Sequence, residues 1–500
     1  MTGKPLTDEA VNNVVWQAAA TGSSLILKAA ILILLARNIP PAQFGLIAAA
    51  TVITSLATDF SQMGVHRALV QRLTLLTNHI RSAFAISLLT GTLAAISIGL
   101  TAPFLAAIFR MDQSEQFIRF LAATLLFTGI AAVSSSLLQR ERRFRALGLV
   151  DFGSYLLGFG LVALPMAILD YGAWALAIGQ MTQVVSRTIA LLALRRPAFA
   201  LIPHVKESKE LLRTGLGFSA GQIGNYVATQ VDYLVVGRYL GAEALGIYNR
   251  AYQFLLLPAQ LFGTVTSSVL FPTIASIQDQ PERVARAYLR ALGLIAMLTL
   301  PTSGALAILA PELVGFLLGP NWSDMILPFQ ILVLTLIFRT SYKISDAVTL
   351  AMGSMYRRAL RQFVYAVAVA GGAFVGLQFG LGGVAIGVSG AVVLNYAMML
   401  NLAREITGQA LRPILAAQAR QFAMAAVLVA PLWGTALLAR RFDQSDFAVL
   451  GLAGLAGLSV AILAWAKFHL LFGPEGQWLQ ELAQRRIARL GKRTSANAPD

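Results

Sequence analysis

The sequence predicts an all-α polytopic membrane protein of about fourteen transmembrane helices: two pseudo-twofold-related six-helix bundles plus two C-terminal helices. Three observations predict this. Apolar runs of about twenty residues recur from end to end, each long enough to cross a ~30 Å hydrocarbon core as a helix. Lys and Arg collect in every second gap between the runs, which fixes the direction of each helix. Short motifs also return at nearly one offset, so the two halves repeat each other.

The predicted spans lie near 14–36, 42–64, 82–109, 115–139, 147–169, 172–194, 215–240, 244–270, 287–317, 326–351, 360–379, 382–403, 419–439 and 445–467. The N-terminal stretch from Met1 to Asn12 is mixed polar and acidic and lacks the pattern of a signal peptide, so the first apolar run is expected to stay as a helix. The tail after Gly473 is basic and amphipathic, with Arg485, Arg486, Arg489, Lys492 and Arg493, and suits a membrane surface.

Composition agrees. The chain is 57% hydrophobic and only 12% charged, against roughly 25% in soluble domains. Its net charge of +16 sits in the gaps after even-numbered spans, for example Arg140, Arg142, Arg143 and Arg145, or Arg357, Arg358 and Arg361. Those gaps are therefore cytoplasmic, as are both termini, and the charge meets anionic lipid and not nucleic acid. No cysteine occurs, which excludes disulfides, Cys-zinc sites and thiol nucleophiles. The four histidines show no ligand spacing and no P-loop lysine motif occurs, so no metal, cofactor or catalytic residue is expected and the chain is not read as an enzyme. Its energy would come from an ion gradient such as H+ or Na+, from the substrate gradient or from downstream consumption.

The repeat rests on three matches. Arg37 precedes Gly45 by eight residues, as Arg238 precedes Gly246; Arg145-Ala146-Leu147 matches Arg358-Ala359-Leu360; Ala177-Ile178-Gly179 matches Ala385-Ile386-Gly387. The offsets are 201, 213 and 208 residues. Six spans per repeat is an even number, so both halves enter the membrane in the same sense around an axis along its normal. This gives an N-terminal bundle over 1–205, a second bundle over 206–405, two added helices over 406–472 and a tail over 473–500.

Ionisable residues within spans cost several kcal/mol unless paired, hydrated or able to snorkel, so they are the site candidates. Lys28 lies roughly 20 Å into span 1 and Asp232 about 25 Å into the corresponding span 7. They can pair across the cleft, or Lys28 can snorkel while Asp232 is hydrogen-bonded within its own bundle. Arg339, Lys343 and Asp346 fall at i, i+4 and i+7 on span 10 and share a face, either lining a cavity or pairing locally. Arg187 shares a face with Gln180 and Gln183, with Asn395 as its repeat equivalent; snorkelling explains it nearly as well. Arg250 stands among Tyr248 and Tyr252 near an external helix end, where a helix-end anchor is the simpler role. Asp59 and Asp151 lie near cytoplasmic helix ends and should pair with nearby arginines. The inward bias is cationic, which suits a phosphate-bearing substrate.

The stretch Val231-Asp232-Tyr233, Gly237-Arg238 and Gly246-Ile247-Tyr248-Asn249-Arg250-Ala251-Tyr252 resembles the oligosaccharide and polysaccharide flippases of the exopolysaccharide and lipopolysaccharide exporter branch (Wzx-like). Leu270-Phe271-Pro272, Pro301, Gly319-Pro320-Asn321-Trp322, Ala36-Arg37, Phe44-Gly45, Gly64 and Ala68-Leu69-Val70-Gln71-Arg72 extend the resemblance over nearly the whole chain. It implies membership of the multidrug/oligosaccharidyl-lipid/polysaccharide exporter superfamily, with two MATE-like bundles facing a V-shaped cavity. It implies a multi-pass protein of the bacterial inner membrane that moves undecaprenyl-pyrophosphate-linked oligosaccharide outward by alternating access, for lipopolysaccharide or exopolysaccharide synthesis beside a polymerase machinery. Related flippases hold cations near the pyrophosphate, which suits Lys28, Arg339, Lys343, Arg187 and Arg250; Asp232, Asp346 and Asn395 are the coupling or gating candidates. A cation-coupled drug exporter of the same fold, a lipid II flippase and a membrane-embedded glycosyltransferase or polymerase are the rivals.

Overall fold

A computed structural model describes residues 24–61, 65–72, 74–200, 202–276 and 280–467, with all their side chains except those of 59, 67, 71, 213–227, 261–276, 281, 355 and 465–467. The predicted tail, Gly64 and the side chain of Asp59 lie outside this description. Every regular element described is helical.

The first half comprises α1 (24–38), α2 (Pro41–Ser61), α3 (Val65–Gln71), α4 (Thr77–Phe109), α5 (Ser114–Arg140), α6 (Phe144–Tyr155), α7 (Leu164–Ile168) and α8 (Ala173–Leu194). A π-helical segment, Leu156–Ala163, joins α6 to α7 as one span. The second half comprises α9 (Val205–Ser276), α10 (Pro281–Ile308), α11 (Ala310–Leu317), α12 (Ile326–Leu334), α13 (Leu336–Ala351), α14 (Met355–Gly376) and α15 (Gly380–Thr407). The two added helices are α16 (Leu411–Arg441) and α17 (Asp446–Lys467).

Ten of the described stretches are long and apolar enough to cross a membrane. One of these, Tyr356–Thr407, holds two spans, and α9, at 72 residues, is long enough for two more. The protein is thus multi-pass, as its sequence requires. The boundary between spans 7 and 8 falls at Gly241, whose φ of 88° and ψ of −177° break α9 where the sequence places an external gap. A side chain with a Cβ would be strained there, and glycine is not.

The repeat has a physical purpose at its glycines. A Cβ built on Gly179 would meet Ala163 and the Gly158 carbonyl, between spans 5 and 6. One on Gly387 would meet the backbone of Gly372, between spans 11 and 12. The matched Ala-Ile-Gly triplets therefore mark one close helix crossing in each half. A second reciprocal contact joins the halves. A Cβ on Gly45 of α2 would run into the carbonyl of Ala242, and one on Gly246 of α9 into that of Pro41. The principal buried core spreads from here through both bundles.

The added pair docks on the second half. α16 packs on α10, and α17 on α16 and α11. Arg440 closes this contact with a fork onto Glu312 at 2.6 and 2.9 Å, and it donates to the Ile308 carbonyl at 2.7 Å.

At the predicted cytoplasmic side, Glu210 near the start of α9 accepts from Arg72, and it lies 3.3 Å from His79 of α4. These partners, Arg72 first and His79 second, hold the Glu210 carboxyl below its ordinary value of 4.5. A lowered folded-state pKa adds stability above the unfolded value, which is lost as pH falls through the folded one. Glu210→Gln should therefore unfold at a lower temperature than wild type at pH 7, with the gap closing by about pH 3. Unfolding curves of the purified pair across that range check this; a gap of constant size contradicts it.

Candidate functional site

The bundles converge on a group of aromatic and cationic side chains. Lys28 on α1 places its ammonium over the Tyr155 ring, 5.4 Å from the centroid, and Tyr155 hydroxyl donates to the Lys28 carbonyl at 3.4 Å. Arg250 on α9 is 8% exposed and stacks 4.1 Å over Phe44 of α2, so a cation from the second half sits on a ring from the first. Its Nη1 donates to Gln253 Oε1 at 2.6 Å, and its Nε has no partner among the described groups. Arg250 also interacts electrostatically with Tyr155 and Tyr233. Stacking on rings is a recurrent solution for a guanidinium withdrawn from water.

Tyr233, Tyr248 and Tyr252 form a closed set of ring contacts at 5.6, 5.6 and 6.1 Å. Asp232 is buried beneath them. Its carboxylate accepts from Tyr248 hydroxyl at 2.9 Å and from the Tyr233 amide at 3.0 Å. Arg339 on α13 donates to the Tyr252 hydroxyl, lies 4.6 Å over that ring and reaches Thr335 Oγ1 at 3.3 Å. Its Nη2 is buried without a partner among the described residues. Arg339 acts electrostatically on Asp232 but forms no ion pair with it.

These contacts revise several sequence expectations. Lys28 and Asp232 do not pair: Lys28 lies on Tyr155, while Asp232 is satisfied by two neutral donors within its own bundle. The span-10 residues are not one shared stripe. Arg339 is buried, Lys343 one turn on is exposed, and Asp346 is taken by Arg358 from α14. Arg187 is held by Asp151 at 2.7 Å, a pairing between spans 5 and 6 that removes it from the central group. Arg250 is no external anchor, because its head is buried at the seam between bundles. Asn395 is fully buried on α15 and neither of its amide atoms finds a partner among the described residues, a costly placement.

Lys28, Arg250 and Arg339 therefore come together, with Lys343 at the edge. Among the described residues none of the four is ion-paired, and Asp232 is the carboxylate buried beside them. Tyr155 belongs to the group but was not singled out by the sequence, and Tyr233 and Phe44 stood out there only as residues of the family resemblance; the i, i+4 spacing of Tyr248 and Tyr252 was the available signal. A separate cavity of about 410 Å³ is almost entirely apolar, lined by Ile26, Ile33, Phe254, Leu306, Leu318 and Phe329 among others. It lies between α1 and the second bundle, and Lys28 does not line it.

Two six-helix bundles that share a buried cationic seam define a multi-pass membrane protein of two-bundle fold. The sequence profile of the family described as "polysaccharide biosynthesis protein" matches residues 34–327, and the chain belongs to that family. It is similar to the lipopolysaccharide biosynthesis protein WzxC of Escherichia coli (strain K12), 24% identical over 67% of this chain and 68% of that protein. It is also similar to the succinoglycan biosynthesis transport protein ExoT of Rhizobium meliloti (strain 1021), 25% identical over 62% of this chain and 63% of that protein. The fold matches the inward closed conformation of the lipid II flippase MurJ with a TM-score of 0.75, at 15% identity, over 91% of this chain and 99% of that one.

Proposed function

We propose that this protein is a flippase, not an enzyme, that carries undecaprenyl-pyrophosphate-linked oligosaccharide from the cytoplasmic to the periplasmic leaflet of the inner membrane by alternating access, with both termini in the cytoplasm. The observation that carries the reading is the excess of cations at the seam: buried Arg250 and Arg339, with half-buried Lys28 and exposed Lys343 beside them, against Asp232 as the one carboxylate buried there among the described residues. A buried cationic excess favours an anionic cargo, and phosphate oxygens take guanidinium and ammonium groups strongly. Pairing lowers the cost of moving the pyrophosphate through a ~30 Å hydrocarbon layer. The family and the names of the two relatives support a polysaccharide pathway, and the flippase-like fold supports the leaflet exchange. The same excess disfavours cationic drugs as cargo. The energy source is proposed to be an ion gradient or downstream use of the product, with Asp232 as the titratable group at the seam.

Flipping of a lipid-linked oligosaccharide in vesicles holding the purified protein tests this. Wild type should move the pyrophosphate-linked lipid and leave a cationic dye unmoved. Lys28→Ala should slow flipping several-fold, because a cation of the first bundle is lost from the seam. Dye export without lipid flipping would replace the reading with drug transport. Glycosidic bond formation by the purified protein would replace it with an enzyme.

A further inference from the structure

The two arginines that open the repeat, Arg37 and Arg238, have no part in the central site, yet each makes a specific contact across the bundles. Arg37, at the end of α1, donates from Nε to the Leu317 carbonyl at 2.9 Å and from Nη2 to the Phe316 carbonyl. Those carbonyls belong to the last turn of α11, in the second half. Arg238, at the corresponding end of span 7, donates from Nη1 to the Ile108 carbonyl at 2.6 Å. That carbonyl belongs to the last turn of α4, in the first half. Spans 3 and 9 correspond in the repeat, so the two contacts are one arrangement made twice in opposite directions.

The chemistry of each contact is specific. The last four carbonyls of a helix lack intrahelical partners and carry the negative end of its dipole. Both helices stop abruptly: Arg110 follows α4 with φ of 54°, and Gly319 follows α11 with φ of 92°. Each arginine thus neutralises an exposed helix end that its own bundle leaves open. All five residues lie in or within a few residues of gaps with little positive charge, which the sequence assigns to the outside. Apolar contacts seal the same level. Trp322 is fully buried, donates from Nε1 to the Ala36 carbonyl at 2.9 Å and meets Phe44 edge-on at 5.4 Å. On the opposite side a Cβ on Gly237 would strike Phe109.

We propose that Arg37 and Arg238 are reciprocal latches that hold the external mouth of the two bundles shut, and that outward opening requires both to release their helix ends. The proposal rests on the alternating-access reading above. Because the contacts are polar and shallow they can break and re-form in each cycle.

The chain has no cysteine, so one introduced thiol reports without background. Ala49 is fully buried on α2, one turn below Gly45 on the same face. Ala49→Cys is labelled in spheroplasts with a membrane-impermeant maleimide, alone and together with Arg37→Ala, Arg238→Ala or both. Charged contacts to helix ends contribute about 0.3–1 kcal/mol each, so the double variant should label roughly 3- to 30-fold faster, with each single change between. Lysine at both positions should restore part of the protection, since an ammonium keeps the charge but cannot fork across two carbonyls as Arg37 does. If the double variant does not accumulate, Arg37→Gln and Arg238→Gln singly carry the test. Labelling rates equal to the parent overturn the latches. The reporter needs no cargo, so a failed flipping assay and a failed latch are separate results.

Discussion

Arg339→Ala is expected to reduce flipping at least about thirty-fold, the equivalent of ~2 kcal/mol, the lower end for truncating a buried charge in a hydrogen-bonded network. The residue is 8% exposed and holds the Tyr252 hydroxyl, the face of that ring and Thr335 at once. Removing it takes away the cation that acts electrostatically on the buried Asp232 from within the same bundle. The same change takes away Nη2, a buried donor with no partner among the described residues and one that suits a phosphate oxygen. Arg339→Lys keeps the charge and should recover part of the rate, though a single ammonium cannot both serve Tyr252 and reach the cargo. The check is initial flipping rate per folded molecule, with an unchanged gel-filtration profile as the control. Full activity in Arg339→Ala would remove the residue from the mechanism.

Gly45→Val is expected to destabilise the protein by about 1–3 kcal/mol and to impair flipping with it. The reason is geometric. The space a Cβ needs at Gly45 is filled by the backbone carbonyl of Ala242, and backbone, unlike a flexible side chain, cannot step aside. The helices α2 and α9 must separate, and with them the seam that brings Phe44 under Arg250. Gly246→Val should behave alike, because its Cβ would meet the Pro41 carbonyl. Gly99→Ala is the matched control, with open space around it on a helix of the same bundle. Thermal unfolding of the three variants decides; equal melting of Gly45→Val and Gly99→Ala would mean that the bundles do not depend on this close approach.

The frame was legible in the sequence because it follows from one-dimensional signals. Apolar length sets the spans, alternate basic gaps set their direction, and the gap read between 240 and 244 is where the structure breaks α9 at Gly241. The repeated glycines were visible as letters, but their purpose was not: that Gly45 and Gly246 face each other's half depends on how the bundles dock. The site was partly legible. Depth singled out Lys28, Asp232 and Arg339, since a charge in an apolar run stands out. Their partners did not, because tyrosine and phenylalanine in a membrane helix look like any other apolar residue. Asp232 therefore met Tyr248 where a cation was an option, and Arg187 was claimed by Asp151, which a helical face cannot reveal. Arg37 and Arg238 were seen as repeat markers, whereas the carbonyls they reach lie on the opposite half.

The most direct test of the central claim, that the cationic seam reads the pyrophosphate, is the binding of two lipids differing in that group alone. One is the polyprenyl-pyrophosphate oligosaccharide, the other the same oligosaccharide joined to polyprenol without phosphate. The purified protein should hold the first at least tenfold more tightly, about 1.4 kcal/mol, and lose most of that margin in Arg339→Ala. Equal affinity for the two lipids would contradict a charge-reading seam and leave the cargo to be recognised by its sugars or its tail.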